Sequence, residues 1–209
     1  MHPDTLSGDG GAPLPRFDTP PHDPVAAARD WLDAARRRGV REPAAATLAT
    51  ADRTGHVSSR TVLVKDVCPE GLVFTSSRHS RKARDLVENP QAACTFYWRE
   101  TLQQLNVAGR VTELADAQAD RLFAERPRMA QAVAEVSRQS HPLDDQAAFE
   151  ATVHTVHGTA DAIERPAAWR AYLLTAQTIE FWSGSPDRLH RRLLCERTAG
   201  GWRVTRLQP

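Results

Sequence analysis

The chain has 209 residues, which is enough for one domain with a substantial buried core. Its 27 basic and 26 acidic residues leave a net charge of +1, which argues against nucleic-acid or membrane-surface binding through overall charge, so any basic patch must be local. The three cysteines, Cys68, Cys94 and Cys195, are odd in number and widely spaced, which argues against a disulfide framework and a zinc site.

Residues 1–22 are rich in Pro, Gly and Asp, and we predict that they form a flexible arm. They offer too little apolar surface to offset the entropy of ordering. They contain no basic segment followed by an apolar one, and the sequence has no apolar run near the ~20 residues that span a membrane. We therefore expect a cytoplasmic protein whose folded domain covers residues 23–209.

The first half of this domain is predicted to be a helix followed by strands. Asp23 and Pro24 start an amphipathic helix, and Gly39 ends it. The segments AAATLATAD and VSSRTVLVKDV form a predicted hairpin, and LVFTSS adds a third strand. The helix SRKARDLVENP follows, and then come the strands QAACTFYW and LQQLNVAGRVTEL.

The second half begins with a helical block and returns to strands. Residues 115–157 are predicted to form three helices, followed by the strands AWRAYLLTAQTIEFW, RLHRRLLCERT and WRVTRLQP. Short turns join most of the strands, which indicates antiparallel pairing. The expected fold class is α+β, a curled antiparallel sheet or small barrel with helices outside.

The segment SSRHSRKARDL, which begins at Ser76, places positive charge at a helix N-terminus. Ser80 is a natural N-cap, yet Arg81 and Lys82 follow it where the helix dipole favours acidic residues. One interpretation is a solvated basic surface. The other is an anion site, in which helix N–H groups, serine hydroxyls and the two cations converge on a phosphate.

Polar groups also flank apolar ones in two predicted strands. Alternation along Arg60–Lys65 places Arg60 on one face and Lys65 on the other, which suits either a strand with solvated ends or one edging a flat ligand. Gln103 and Gln104 are adjacent, so only one points inward. An amide that points inward can both donate to and accept from a heterocycle. A polar residue at the start of a strand is the simpler interpretation.

The segment EFWSGSPDRLHRR carries a third basic cluster. Arg188, His190 and Arg192 alternate, which predicts one strand face whose three groups would repel each other unless an anion lies between them. Trp182 precedes them and could stack on a planar ring. A solvent-facing edge strand is the alternative. His154 and His157 lack further ligands at suitable spacing, so no metal site is predicted.

Five motifs, in order, resemble the pyridoxamine 5′-phosphate oxidase family of FMN-dependent split-barrel oxidases. They are SSRTVLVK, VFTSS with SRKARDLVENP, YWRETLQQLNVAGRV, RPR with SRQS, and IEFWSGSPDRLHRR with GGWRVTRLQP. The resemblance covers residue 25 to the C-terminus. It implies a split β-barrel homodimer with FMN at the subunit interface.

The resemblance also implies site residues. The expected FMN contacts are Arg60, Thr61, Val62, Leu63, Lys65, Thr75, Ser76, Arg81, Lys82, Gln104, Gln139, Ser140, Trp182 and Arg192. Gln139 and Ser140 would come from across the dimer. The expected substrate contacts are Lys65, Arg126, Arg188 and His190, and we take His190 and Arg188 as the catalytic residues, with His190 as a candidate proton acceptor. Arg78, His79 and Arg84 are expected to be mainly solvated.

Two positions depart from the vitamin B6 oxidases of this family. Those enzymes carry Tyr and Ser four residues either side of the arginine that corresponds to Arg126, where this chain has Leu122 and Ala130. Losing two hydroxyls weakens a phosphate site and makes the pocket larger and drier. The segment Trp169–Ala171 also replaces the usual Trp-Gly-Gly. The segments YWRETLQQ and SRQS-x-P-L-D resemble the flavin oxidases of phenazine biosynthesis more than the vitamin B6 oxidases.

The sequence therefore predicts an FMN-dependent oxidase that dehydrogenates a reduced heteroaromatic substrate, with a dihydrophenazine carboxylic acid as first candidate. O₂ would be the electron acceptor and H₂O₂ the product, while FMN carries the redox chemistry. The alternative is a pyridoxine/pyridoxamine 5′-phosphate oxidase that makes pyridoxal 5′-phosphate. A non-catalytic flavin-binding or haem-handling split barrel and a nucleic-acid-binding module are the remaining alternatives. The expected partners are a small aromatic substrate and a second copy of the chain, with no nucleic acid and no membrane.

Overall fold

The computed structural model describes residues 19–209, so most of the predicted flexible arm, 1–22, lies outside the described residues. The strands are β1 (Ala45–Ala51), β2 (Val57–Cys68), β3 (Gly71–Ser77), β4 (Gln91–Trp98), β5 (Gln103–Glu113), β6 (Trp169–Ser183), β7 (Arg191–Thr198) and β8 (Gly201–Leu207). The helices are α1 (Pro24–Arg37), α2 (Arg81–Glu88), α3 (Asp116–Ala124), α4 (Arg128–Val136) and α5 (Gln146–Gly158).

All the strand pairs are antiparallel, in the order β3-β2-β1-β4-β5-β6-β7-β8. An additional pairing of β3 with β6 closes the first six strands into a barrel, and β7 and β8 extend the sheet from β6. Closure pairs the two outer strands of the six-stranded sheet with each other, and β8 is the edge strand of the extension. The predicted α+β split barrel is confirmed.

The barrel interior is an apolar core that α1 covers. Asp23 caps α1 by accepting hydrogen bonds from Val25 N and Ala26 N, and the predicted stripe of the helix is buried. Trp31 from this stripe contacts Phe181 edge to face at 5.0 Å between ring centroids, and Trp98 at 6.2 Å. A smaller apolar cluster lies where α3 packs on β3 and β6.

A close backbone approach at β5 and β6 requires a glycine. The register of the two strands shifts between Ala108 and Gly109. A Cβ on Gly109 would lie 2.0 Å from the Thr175 carbonyl oxygen, which no side chain tolerates. The glycine therefore permits the irregularity that bends these long strands around the barrel. None of the helices in the described part of the chain is long and apolar enough to cross a membrane.

Candidate active site

A cavity of about 720 Å³ lies between β2, the start of α2 and the start of α4. Five cationic side chains line it, and none of its described lining residues is acidic. We call this cavity the cationic pocket; the five side chains are Arg60, Lys65, Arg81, Lys82 and Arg126. Five cations around one cavity repel each other. An anionic ligand would relieve this repulsion, and the pocket therefore favours an anion.

Lys82 is the most buried of these cations, with 7% of its surface exposed. Its Nζ donates to Ser76 Oγ at 3.0 Å, and Ser76 Oγ lies 2.9 Å from Ser80 Oγ. Burial, with a smaller contribution from the charge of Arg60, lowers the pKa of Lys82 to about 8. A buried ammonium held by a hydroxyl gains most from an anion placed beside it.

The start of α2 supplies further donors to the same region. Ser80 is the N-cap, as predicted, because its hydroxyl accepts from Ala83 N at 3.3 Å. Ser140 Oγ accepts from Arg81 N at 3.1 Å, and Gln139 Oε1 accepts from Ser76 Oγ at 3.3 Å. Gln139 and Ser140 therefore contact residues 76–81 of their own chain, whereas the resemblance implied that they come from across a dimer.

Arg60 is held by a buried polar network that the sequence analysis missed. Its guanidinium donates to Thr50 Oγ1 at 2.8 Å and to Ser58 Oγ, and it lies 3.9 Å from Asp85. Asp85, on the buried face of α2, accepts from Thr50 at 2.7 Å and from Ser58 at 2.9 Å. The network fixes the guanidinium of Arg60 at the wall of the pocket.

The other lining residues of β2 form a wall of the cationic pocket. Val62 and Val64 point into the barrel core, whereas Thr61, Leu63 and Lys65 are exposed, which confirms the predicted alternation. Leu63 is 54% exposed beside the pocket. Thr75 of β3 also lines the pocket. This wall offers an apolar surface with a hydroxyl and an ammonium at its ends, which suits a flat ring system.

Arg126 and Lys65 form a second cationic end of the pocket. Although Lys65 is exposed at its surface, partial desolvation by the pocket wall, together with the charge of Arg126, lowers the pKa of Lys65. The Arg126 guanidinium lies over the ring of Trp169 at 5.1 Å, and its Nη2 donates to the Ala130 carbonyl at 2.8 Å. Its Nε is buried and lacks a partner among the described residues. Ala130 lines the pocket, but Leu122 is buried in the small apolar cluster below it.

A second group of predicted site residues lies in a row across β5, β6 and β7. Gln104 pairs with Trp182, which pairs with Arg192. We call these three the tryptophan row. Arg192 donates to Glu180 at 2.7 Å, a contact that raises the pKa of Arg192 and that the sequence analysis missed. Gln103, not Gln104, is the buried amide of the pair.

The segment after β6 sets the position of His190 against the tryptophan row. The His190 ring lies 4.9 Å from the ring of Trp182, and its Nδ1 accepts from the backbone N–H of Ser185 at 3.1 Å. A Cβ on Gly184 would lie 2.8 Å from the Trp182 ring, so only glycine leaves room for this ring position. In a neutral His190 ring, this contact leaves the proton on Nε2.

The predicted strand face of Arg188, His190 and Arg192 is wrong. β7 begins at Arg191, and Arg188 lies in a turn with a left-handed backbone at φ 65°. Asp187 Oδ1 accepts from Leu189 N at 3.0 Å, and Arg188 N donates to the Ser185 carbonyl at 3.0 Å. These local bonds hold residues 185–190 as a turn, so the three basic groups do not alternate along one strand.

The tryptophan row and the cationic pocket are far apart in one chain. Thr75, in the pocket, pairs with Ala171 near the start of β6, whereas Trp182 is near its end. The path between the two positions along the strand is about 35 Å, at ~3.3 Å per residue. None of the three residues of the tryptophan row lines the cationic pocket of the same chain.

Comparison with known proteins finds similarity along almost the whole described chain. Residues 32–160 match the pyridoxamine 5′-phosphate oxidase family, and residues 169–209 match the C-terminal dimerisation region of pyridoxine 5′-phosphate oxidase. The chain is 39% identical over 206 residues to the dihydrophenazinedicarboxylate synthase of Pseudomonas chlororaphis, covering 99% of this chain and 93% of that protein. It is 46% identical over 199 residues to the pyridoxine/pyridoxamine 5′-phosphate oxidase of Anaeromyxobacter dehalogenans, covering 94% of this chain and 100% of that protein.

A solved structure shows the same fold. PhzG from Burkholderia lata, in complex with tetrahydrophenazine-1-carboxylic acid, superimposes with a TM-score of 0.92 at 37% identity. The superposition covers 95% of this chain and 98% of the PhzG chain. The chain belongs to the pyridoxamine 5′-phosphate oxidase family and is an enzyme, an oxidoreductase of that family.

Proposed function

We propose that this protein is an FMN-dependent oxidase that dehydrogenates a reduced phenazine carboxylic acid. The observation that carries the proposal is the cationic pocket, with the buried Lys82 and the Ser80-capped start of α2 at one end and Arg126 and Lys65 at the other. Two cationic ends suit two anionic groups, the phosphate of FMN and the carboxylate of a substrate.

The residues of the pocket fit FMN. Ser76, Arg81 and Lys82 would hold the phosphate, because a dianion offsets the buried ammonium and the positive end of α2 together. Arg60 and the Thr61–Leu63 wall would line the flavin, with Thr75, Gln139 and Ser140 nearby. When bound, FMN would supply the redox chemistry, the net transfer of two electrons and two protons from the substrate to O₂, which gives the oxidised substrate and H₂O₂.

The end of the pocket formed by Arg126 and Lys65 favours a substrate that carries a carboxylate over one that carries a phosphate ester. Ala130 gives the pocket a methyl group and a backbone carbonyl that already accepts from Arg126, and Leu122 adds no polar atom because it is buried. Arg126 and Lys65 can still pair with a carboxylate. The PhzG structure that superimposes on this chain holds a phenazine-type carboxylic acid, which supports the same substrate class here.

A homodimer would complete the site. The tryptophan row does not line the pocket of its own chain, so a second copy would supply Gln104, Trp182 and Arg192, together with His190 and Arg188. The match of residues 169–209 to a dimerisation region supports this arrangement, because the row, Arg188 and His190 lie on or beside the elements of that region.

His190 would orient the substrate. The Ser185 N–H occupies Nδ1, so a neutral His190 presents Nε2–H as a donor. Such a donor suits a carboxylate or a ring nitrogen of the substrate. The earlier hypothesis that His190 accepts a proton is therefore replaced by the proposal that it donates a hydrogen bond.

A pyridoxine/pyridoxamine 5′-phosphate oxidase is the second candidate, favoured by the 46% identity to the Anaeromyxobacter enzyme. Absorption spectra of the purified protein, before and after anaerobic addition of each reduced substrate, separate the two. We expect bleaching of a flavin band by a dihydrophenazine carboxylate and slower bleaching by pyridoxamine 5′-phosphate. The reverse order of rates would assign the protein to vitamin B6 metabolism, and a protein that takes up no flavin would remove the proposal.

A further inference from the structure

A chain of alternating ion pairs runs from the turn before α2 to the start of α3. We call it the ion-pair chain; its members are Arg78, Glu113, Arg170, Asp116, Arg165 and Asp120. At its centre, Glu113 accepts from Arg78 through both carboxylate oxygens, at 2.6 and 3.0 Å, and from Arg170 at 2.7 Å. A two-point contact between guanidinium and carboxylate fixes the orientation of both groups.

Burial distinguishes this chain from an ordinary surface salt bridge. The side chains of Arg170 and Arg165 are each only 10% exposed, whereas that of Arg78 is 54% exposed. Exposed pairs contribute little, but a buried guanidinium left without its partner is costly. Glu113 is therefore held firmly by the buried Arg170, and its remaining lone pairs accept hydrogen bonds from Arg78. The contact with Glu113 raises the pKa of Arg78 and lowers that of Glu113.

Arg78 connects this chain to the anion-binding turn, residues 78–81. Its backbone N–H donates to the Ala168 carbonyl at 2.7 Å, so both its main chain and its side chain are anchored outside the pocket. The next residues turn towards the pocket, where Ser80 caps α2 and the Arg81 N–H meets Ser140. Arg78 and Arg84 are exposed, as expected, but each also has a partner: Arg78 pairs with Glu113, and Arg84 donates to the His79 carbonyl.

We propose that Glu113 and Arg170 are positioning residues for the phosphate of FMN, acting through Arg78 on the anion-binding turn. The inference rests on the proposed function, that the cationic pocket holds FMN. None of the three side chains lines the pocket. Their effect is to hold the serine hydroxyls and the first N–H groups of α2 in one arrangement before the phosphate arrives, which reduces the ordering cost of binding.

Comparing FMN with riboflavin isolates this effect, because riboflavin lacks the phosphate. The purified full-length chain is titrated with each flavin, with flavin fluorescence as the signal. We expect Glu113→Gln to weaken FMN binding about tenfold, equivalent to ~1.4 kcal/mol, and to leave riboflavin binding within about twofold. Asp120→Asn is the matched control: it removes a carboxylate of the same ion-pair chain that pairs with Arg165 alone, and it should change neither affinity.

Arg78→Met provides a second route to the same answer if Glu113→Gln fails to fold, because Arg78 is exposed and its loss leaves the buried pair of Glu113 and Arg170 intact. We expect the same selective loss of FMN affinity. The double variant, Glu113→Gln with Arg78→Met, should bind FMN no more weakly than either single variant. Unchanged FMN-to-riboflavin ratios in the folded variants would overturn the inference. A wild-type protein that binds the two flavins equally would instead overturn the proposed phosphate site itself.

Discussion

At the scale of single residues, Lys82 decides how the protein responds to pH. Its pKa of about 8 reflects burial and Arg60, so the free protein loses this positive charge in mildly alkaline solution. A phosphate dianion raises the pKa of the lysine again, because an opposite charge favours the ammonium. In the proposed complex, binding of FMN above pH 8 would therefore take up a proton.

We expect the dissociation constant for FMN to be steady between pH 7 and 7.5 and to rise above pH 8, by up to about tenfold per pH unit. The lysine pKa in the folded protein lies below its unfolded value, so the free protein gains stability from this group as pH rises above 8. The increase in Tm caused by FMN should accordingly be larger at pH 7 than at pH 9.5. Lys82→Arg keeps its charge and should flatten the profile, whereas an equally steep profile in that variant would assign the titration to another group.

The choice of substitution at His190 can test the proposal that this side chain donates a hydrogen bond to the substrate. A glutamine side chain can place an N–H near the position of Nε2, whereas alanine cannot. We expect His190→Ala to lower kcat/KM at least about tenfold, as for a lost hydrogen bond to a charged group, and His190→Gln to retain most of the activity. Steady-state oxygen consumption measures both. Equal losses in the two variants, with loss of an ionisation from the pH profile, would restore the role of proton acceptor.

At the scale of elements, the regular segments were predictable and the irregular ones were not. The apolar stripe of α1, the N-cap at Ser80 and the alternation in β2 follow from local periodicity, and the structure confirms them. The sequence predicts a turn at SGSPD and a strand from Arg188, but the turn continues to His190, because Asp187 bonds its own neighbouring backbone in competition with the strand. The contact between Arg81 and Ser140 joins residues 59 positions apart, and no local pattern encodes such a distance.

The turn after β6 gives a prediction that concerns the position of Trp182. Gly184→Ala would place a methyl group 2.8 Å from the indole, so the ring must move. We expect the variant to fold with a loss of about 1–3 kcal/mol, as for overpacking, and to bind FMN more weakly. Gly200→Ala is the control, since a Cβ there meets nothing within 4 Å. Unfolding midpoints in urea and flavin titrations measure the two effects, and unchanged FMN binding in Gly184→Ala would exclude the ring from the flavin site.

At the scale of the whole molecule, one chain carries the two proposed half-sites in separate places. The path along β6 from Trp182 to the residue that pairs with Thr75 is about 35 Å, at ~3.3 Å per residue, and the tryptophan row does not line the cationic pocket. Two-fold symmetry solves this problem, because it can bring the pocket of one chain against the tryptophan row of the other, and it then does so twice. A variant that lacks one half-site should thus be rescued by a variant that lacks the other.

Coexpression of differently tagged chains tests this assembly. We expect Lys82→Met and Trp182→Ala each to lose most of their FMN occupancy as homodimers. In a mixed dimer, one of the two sites combines an intact pocket with an intact row, while the other site carries both defects. With random pairing, half of the dimers are mixed, so the flavin content should recover to about a quarter of the wild-type value. The pair Lys82→Met and Arg81→Ala is the control. Both substitutions lie in the pocket, so each site of that mixed dimer contains one altered pocket and the flavin content should not recover. Recovery in neither mixture would mean that each chain binds FMN without its partner, whereas recovery in the first mixture alone requires a site shared between two subunits.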